Sequence, residues 1–456
     1  MAQHQLSLAV NGRERQLHRK LASFRLPAAD GGNGNGHATA TWSVAIVGLG
    51  YVGLPTALAL HGRCPRIIGV DVSEERLAAI KAGEADLAET DRPRLEAALA
   101  DGTLELTSEV TAIAAADTVI ICVPTPVDDA NVPDLAALHG ACADVVSHAR
   151  PGQTIILTST TYAGTTTELL TQPLAARGLR AGTDVYVAFS PERIDPGNPE
   201  HTQRETPRVV GGATADCAAR AAWVVGHLTD VVYLVSSADA AEATKLYENI
   251  FRAVSLALAN EFADACGALG LDPIEVTVAA GTKPYGFLGV FPGPGVGGHC
   301  IPCDPHYLLW QLAKDGHSSP LIEQAMRSID LRPARVAGRA REVLGQDGLD
   351  LAGARVVVVG ASYKAGVRDL RESPALSLIA SLADQGAQVS YYDPLVPAIA
   401  LPGGTMTSVP APQGADYDLA VVHTVHPGVG YQWVADCPRV LDATYQFEDA
   451  AHRTVV

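Results

Sequence analysis

The chain has 456 residues, 47% of them apolar, and a formal net charge of −17. That length predicts two to four domains with large cores. The body carries no extended basic stretch of the kind nucleic acid selects, and no apolar run approaches the roughly 20 residues that span a bilayer.

Residues 1–40 read as a tail: RERQLHRK is basic, and DGGNGNGHATAT has the composition of a flexible linker. A disordered extension is expected; docking to an acidic surface is the alternative. The tail has no continuous apolar stretch such as a secretory signal needs. The eight cysteines show no framework spacing, which suits a reducing, cytoplasmic setting.

WSVAIVGLGYVGLPTALAL follows, with Val44–Val47 as a buried strand and Gly48, Gly50 and Gly53 as a GxGxxG at the turn into an apolar helix. The next strand, RIIGVDV, ends at Asp71, where a dinucleotide-binding fold places the acid that holds the adenosine ribose. GxGxxG alone is a weak signal; strand, glycines, helix, strand and acid in that order are strong. An acid there repels a 2′-phosphate, so NAD is expected over NADP. Three more strand-to-loop units are expected: ADTVIICVPTP, whose Thr125 could face the cofactor, then QTIILTSTTYAGTT and DVYVAFSPERIDPGN.

From residue 236 the apolar positions recur at three and four residues, predicting one long helix over about Ala238–Leu269. Lys245 and Asn249 sit one turn apart on it. Read alone, Lys245 is a solvated lysine and Asn249 a helix–helix contact. FPGPGVGGHCIPCDPHYLLW, residues 291–310, then sets a Gly-rich loop against Cys300, with Asp304 four residues on. A helix start stabilises a thiolate through its dipole and unpaired N–H groups, and Pro302 and Pro305 suit a first turn. A lone cysteine there would be a packing residue; the glycines and the acid shift the reading to a nucleophile. Cys300-x-x-Cys303 also admits a dithiol redox reading, and His299 with His306 a zinc reading that lacks two ligands at suitable spacing. A second α/β unit starts near residue 353: ARVVVVG, QVSYYDP ending at Asp393, and DYDLAVVHTVHP echo the first unit without its full GxGxxG. A different nucleotide is expected there.

Taken together, GLGYVGLP, VPTP, STTYAGTT, SPERIDPGN, KLYENIFRAV, PGPGVGGHCIPCDPHYL and SYKAGVRDLRESPA resemble the nucleotide-sugar dehydrogenases, the UDP-glucose/GDP-mannose dehydrogenase family, from about Ser43 to the C-terminus. TSTTYAGTT, SPERIDPGN and TKPYGF look most like the branch acting on UDP-N-acetylhexosamines, notably the UDP-N-acetylglucosamine 6-dehydrogenases. The resemblance implies two doubly wound Rossmann-like domains joined by a long central helix. Its domains are a 1–40 tail, a 41–235 NAD-binding domain, a 236–335 central dimerisation region with the cysteine loop, and a 336–456 UDP-sugar-binding domain. It implies a cytoplasmic homodimer or higher homo-oligomer, with no metal and no nucleic-acid or membrane partner.

The same resemblance implies a four-electron oxidation of the sugar C6 alcohol to a carboxylate, with two NAD consumed per product. Cys300 is the implied nucleophile, through a thiohemiacetal and a thioester. Lys245, or a water held by Asp304, takes the first proton; Asp304 and Glu192 position the hydrolytic water. Lys245 and Asn249 stabilise the oxyanions, and Thr160 holds the active-site water. Cofactor contacts fall to Gly48, Gly50, Tyr51, Val52, Gly53, Asp71, Arg76, Pro124, Thr125, Thr160 and Arg371. Substrate contacts fall to Glu192, Arg193, Lys245, Asn249, Arg252, Tyr285, Gly295, Gly297, Gly298 and Lys364, with the glycine loop cradling the UDP phosphates through its N–H groups. Without the family, Glu192 reads as an acid in a tight turn, and Lys364 and Arg371 as a charged loop face. The chain departs from the family at Ala163, Cys303, His306 and Arg368; the second and third leave fine substrate preference open. UDP-N-acetylmannosamine or UDP-glucose are alternative substrates. A two-electron hydroxyacid dehydrogenase and a non-catalytic nucleotide-binding protein are the rival readings.

Overall fold

A computed structural model of the chain describes residues 23–24, 42–87, 90–193, 202–448, 450 and 452–456. The tail expectation lies outside these residues except at Ser23–Phe24, and so does the SPERIDPGN motif beyond Arg193. The chain divides into two compact units, with the boundary between Tyr247 and Glu248.

The first unit is built on strands β1 (Ser23–Phe24), β2 (Ser43–Val47), β3 (Arg66–Val70), β4 (Leu104–Thr107), β5 (Thr118–Ile121), β6 (Thr154–Leu157), β7 (Tyr186–Phe189), β8 (Arg208–Gly212) and β9 (Val232–Leu234). They form one sheet in the order β1-β9-β8-β7-β6-β5-β2-β3-β4. From β4 to β7 every pairing is parallel. The strand order reverses between β2 and β5, which opens a crevice at their carboxyl ends. Alternation explains the two-sided core: Val44 and Ile46 pack on one face, Ala45 and Val47 on the other.

The second unit repeats the plan. Strands β10 (Arg355–Val359), β11 (Gln388–Tyr392), β14 (Leu419–Val422), β15 (Val440–Asp442) and β16 (Arg453–Val455) form a parallel sheet ordered β11-β10-β14-β15-β16. A small antiparallel ribbon, β12 (Ala398–Leu401) and β13 (Gly404–Thr407), stands apart. Val356 and Val358 face one core and Val357 and Val359 the other. The turn after the first strand is the same in both units. Gly48 (φ +90°) and Gly360 (φ +89°) take a backbone conformation that side chains disfavour. Each donates its N–H to the neighbouring strand, to the Val70 and Tyr392 carbonyls, both at 2.8 Å.

The predicted long helix spans Ala238–Leu269 and crosses the unit boundary. In the second unit its later part packs Ala253 and Ala257 against Ile301, Met326 and Ile329. The helix Pro320–Gly345 supplies the last two of these.

Candidate active site

In the first unit the three glycines of the turn serve three purposes. A side chain on Gly48 would press on the Cys122 carbonyl at 3.0 Å, and one on Gly53 would overlap the Gly48 carbonyl at 1.8 Å. A side chain on Gly50 would meet nothing within 4 Å, so open space faces the backbone there. This is the arrangement that admits a pyrophosphate to the start of the helix Gly53–Leu60. Asp71 closes the next strand, accepting from the N–H of Leu49 at 2.8 Å and of Ser73 at 2.9 Å. Arg76 donates through Nε to the Leu49 carbonyl at 2.9 Å. Turn, acid and arginine are thereby one hydrogen-bonded piece. Tyr51 is exposed and donates to Asp86 at 2.8 Å; Val52 is half-buried beside it. Pro124 is exposed and Thr125 buried in the loop after β5. Thr160 is buried in the neighbouring loop after β6, which Ser159 ties to the Val123 carbonyl at 2.8 Å.

Glu192, buried just beyond β7, forms an ion pair with Arg208, and its other carboxylate oxygen accepts from the Arg193 N–H at 2.8 Å. Lys245 is buried and donates to the Glu192 carbonyl at 3.2 Å. Arg193 is anchored to the Pro207 carbonyl at 2.7 Å. Two residues here escaped the sequence reading. Arg208 is the first residue of β8, and its partner could not be read from spacing. Glu242 is wholly buried on the long helix; its carboxylate accepts from the Gly164 N–H (2.6 Å), the Thr166 N–H (2.8 Å) and the Thr166 hydroxyl (2.6 Å). It holds the STTYAGTT loop to the helix that carries Lys245. Burial pushes its pKa above the usual carboxylate range. The available signal was its place three residues before Lys245, on the same helical face.

In the second unit Cys300 is exposed and Asp304 buried. The helix begins at Asp304 rather than at Cys300, with Pro305 in its first turn and Pro302 ahead of it. Residues 301–303 form a turn, and the Asp304 N–H still donates to the Cys300 carbonyl at 2.8 Å, one helical turn in effect. Asn249 donates to the Asp304 carboxylate at 2.5 Å. Cys303 is buried and in no disulfide, and His306 is buried with its pKa lowered by burial. The glycine loop is shaped by close packing. A side chain on Gly295 would strike Pro374 at 2.6 Å; on Gly297, Tyr363 at 2.6 Å and the Glu372 carbonyl at 2.7 Å; on Gly298, the Tyr363 ring at 2.8 Å. The Gly298 N–H donates to the Arg371 carbonyl at 2.9 Å. The Arg371 guanidinium is bound to Asp369 at 2.6 Å. Lys364 is half-buried next to Tyr363, Arg252 is exposed, and Tyr285 is exposed with Lys283 5.3 Å over its ring.

Two further residues were not legible in advance. Asn260 accepts the Gly293 N–H at 2.9 Å, and the buried Arg332 donates to the Gly293 carbonyl at 3.0 Å, to Asp264 at 2.6 Å and to the Tyr445 hydroxyl at 3.1 Å. Together they fix the start of the cysteine loop. Asp393, the counterpart of Asp71, is internal: it accepts from the N–H groups of Ala361 (2.8 Å), Ser362 (3.1 Å), Leu395 (2.8 Å) and Val396 (3.1 Å) and from His426 (3.1 Å). Its pKa is held down to about 2, against its own burial, by His426 and those N–H groups. That carboxylate has no face left for a ribose, which separates the second crevice chemically from the first. Among the described residues, no group of three or more His, Cys, Asp or Glu could hold a metal ion, and no helix is long and apolar enough to cross a membrane.

Comparison with known proteins places three family models in order along the chain. They are the NAD binding domain (residues 42–229), the central domain (239–329) and the UDP binding domain (357–447) of the UDP-glucose/GDP-mannose dehydrogenase family. A UDP-N-acetyl-D-glucosamine 6-dehydrogenase from Pseudomonas aeruginosa is 33% identical over 85% of this chain and 92% of its own. A UDP-N-acetyl-D-mannosamine dehydrogenase from Pyrococcus horikoshii is 35% identical over 84% and 89%. A solved structure of a UDP-D-ManNAc dehydrogenase from Pyrococcus horikoshii superposes with a TM-score of 0.81 at 31% identity, covering 91% of this chain and 98% of that one.

Proposed function

The chain belongs to the UDP-glucose/GDP-mannose dehydrogenase family and is an NAD-dependent nucleotide-sugar dehydrogenase, and from that premise we propose that it oxidises the C6 alcohol of a UDP-N-acetylhexosamine, UDP-N-acetylglucosamine first, to the uronate. The observation that carries the chemistry is the exposed Cys300 one turn before the buried, Asn249-bonded Asp304. The substrate branch rests on TSTTYAGTT, SPERIDPGN and TKPYGF and on relatives whose names specify N-acetylhexosamines.

The residues suggest a division of labour. The Gly48–Gly53 turn and Asp71 would hold NAD, which when bound would supply the hydride acceptor for both oxidations at C6. Lys245, or a water held by Asp304, takes the hydroxyl proton in the first. The Cys300 thiolate adds to the aldehyde, giving a thiohemiacetal whose oxyanion Lys245 and Asn249 stabilise. After the second oxidation the thioester is opened by water, which Asp304, Glu192 and Thr160 position and deprotonate. The ion pair with Arg208 fixes the position of the Glu192 carboxylate for that task. Arg193, Arg252, Tyr285, Lys364 and the Gly295–Gly298 loop are assigned to the UDP-sugar, and Arg371 to the cofactor.

Assembly follows from the long helix. Tyr247, Phe251, Leu258, Phe262 and Leu269 are all exposed on it, at intervals of four and seven residues. That spacing makes one continuous apolar stripe of the kind a second helix covers. A cytoplasmic homodimer or a multiple of it is the expected state; a monomer mass in light scattering contradicts it.

The experiment for the substrate is a kcat/KM panel over UDP-N-acetylglucosamine, UDP-N-acetylmannosamine, UDP-N-acetylgalactosamine and UDP-glucose. Loss of the acetamido contact is worth ~1–3 kcal/mol, so UDP-glucose is expected to be roughly 10- to 200-fold worse. A preference for UDP-glucose sinks the branch assignment and leaves the family standing.

A further inference from the structure

The helix Gly53–Leu60 begins at the nucleotide turn and, about 12 Å on at 1.5 Å per residue, ends in a different kind of place. A cleft of about 200 Å³ lies there, lined by Leu58, His61, Arg63, Arg94, Gln203 and Arg204 among others. None of these residues belongs to the site described above. The volume is too small for a dinucleotide or a nucleotide sugar, whose sites run to several hundred Å³.

Three guanidinium groups meet in this cleft, and each spends one nitrogen on a contact within the first unit. Arg63 donates to the His227 carbonyl at 2.6 Å. Arg94 reaches Asp91 at 3.3 Å, and Arg204 reaches Asp230 at 2.7 Å. His61 is paired with Asp101 at 2.8 Å. Arg63 therefore binds a neutral carbonyl, while the Arg94 and Arg204 pairs are surface pairs of the kind that exchange at little cost. A guanidinium has five N–H donors in a planar fork, so each of the three keeps donors to offer. A separate observation points the same way. The side-chain nitrogen of Gln203 is buried in this cleft wall without a hydrogen-bond acceptor. Such a donor calls for an oxygen ligand. The pKa of Arg63 is lowered first by burial and then by Arg204, as expected of cations crowded with too little negative charge between them.

We infer that this cleft is a second anion site, taking a phosphate dianion, free or as a phosphomonoester, on Arg63, Arg94, Arg204 and the Gln203 amide. A dianion of that size satisfies the stranded amide and accepts from several guanidinium forks at once. The three aspartates stay on the outer nitrogens of their partners and limit the affinity to the millimolar range.

The test uses the full chain saturated with NAD and UDP, so that the nucleotide sites are filled. Inorganic phosphate, and separately glucose 6-phosphate, is titrated at constant ionic strength by calorimetry. One ion is expected per chain. Arg94→Gln, an exposed position with one weak pair, should weaken binding at least about tenfold, and Arg63→Ala at least as much. The tighter of the two probes identifies the source of the anion, free or esterified. No binding of either probe to the wild-type chain, or binding that Arg94→Gln leaves unchanged, overturns the inference and leaves the arginines only their contacts with the His227 carbonyl, Asp91 and Asp230.

Discussion

Replacing Arg208 by Met tests how the buried Glu192 carboxylate is held. Both side chains of the pair are nearly sealed, 2% and 5% exposed. Met matches the length of the arginine stem but removes the only cation that pairs with this acid among the described residues. Breaking a buried pair from one side typically costs ~3–5 kcal/mol, because it strands the remaining charge. Here the other oxygen of Glu192 keeps its bond from the Arg193 N–H, so a value near the lower end, about 3 kcal/mol, is expected. Urea unfolding followed by a probe in the first unit reads this loss. The double variant Arg208→Met with Glu192→Leu removes both charges, and the pair's coupling should then return at least about 2 kcal/mol relative to the summed single losses. A single-variant cost under about 1 kcal/mol, or strictly additive losses, refutes the claim that the pair is a desolvated ionic contact.

Four further outcomes are expected. Cys300→Ala should lower kcat for acid formation by at least ~10²-fold while leaving NAD binding intact, measured by steady-state kinetics and NAD titration; normal turnover removes the covalent route. Asp71 should enforce NAD over NADP in a comparison of kcat/KM, and equal values place Asp71 away from the ribose. His423 should make the fold acid-sensitive: burial lowers its pKa from 6.5 to about 4. The unfolded chain therefore binds the proton first, so stability is full above pH ~6.5 and falls as pH drops toward ~4, by ~3 kcal/mol at most. Asp393 acts in a lower window. Its folded pKa of about 2 lies below the ordinary 3.8, so its contribution is full above pH ~4 and lost toward pH ~2. His423→Gln should flatten the slope between pH 6.5 and 4 in urea titrations, and an unchanged slope contradicts the assignment.

The sheet architecture was legible because both units write it locally. Apolar strands end in Gly or Asp at fixed places, and a single 3.6-residue periodicity set the long helix at Ala238–Leu269. Cys300 and Asp304 were legible because one helical turn separates them. The partners that bind those residues were not. Arg208 meets Glu192 across 16 residues, Glu242 reaches Thr166 across 76, and Arg332 meets Tyr445 across 113. Such pairings are set by the packing of whole elements, and no local pattern records them. The helix start was misplaced by four residues because Pro302 and Pro305 suit a first turn equally well, and only backbone hydrogen bonding separates them. The packing role of Gly298 was hidden for a related reason. A glycine needed for contact with Tyr363 looks, in sequence, the same as a glycine needed for an anion.

The central claim is a four-electron oxidation carried through Cys300, and counting NADH tests it most directly. UDP-N-acetylglucosamine is supplied as the limiting reagent with excess NAD, and NADH is followed by absorbance until it stops while the sugar product is identified by mass. Two NADH per sugar and a C6 carboxylate are predicted. One NADH per sugar, with an aldehyde or another two-electron product, contradicts the account.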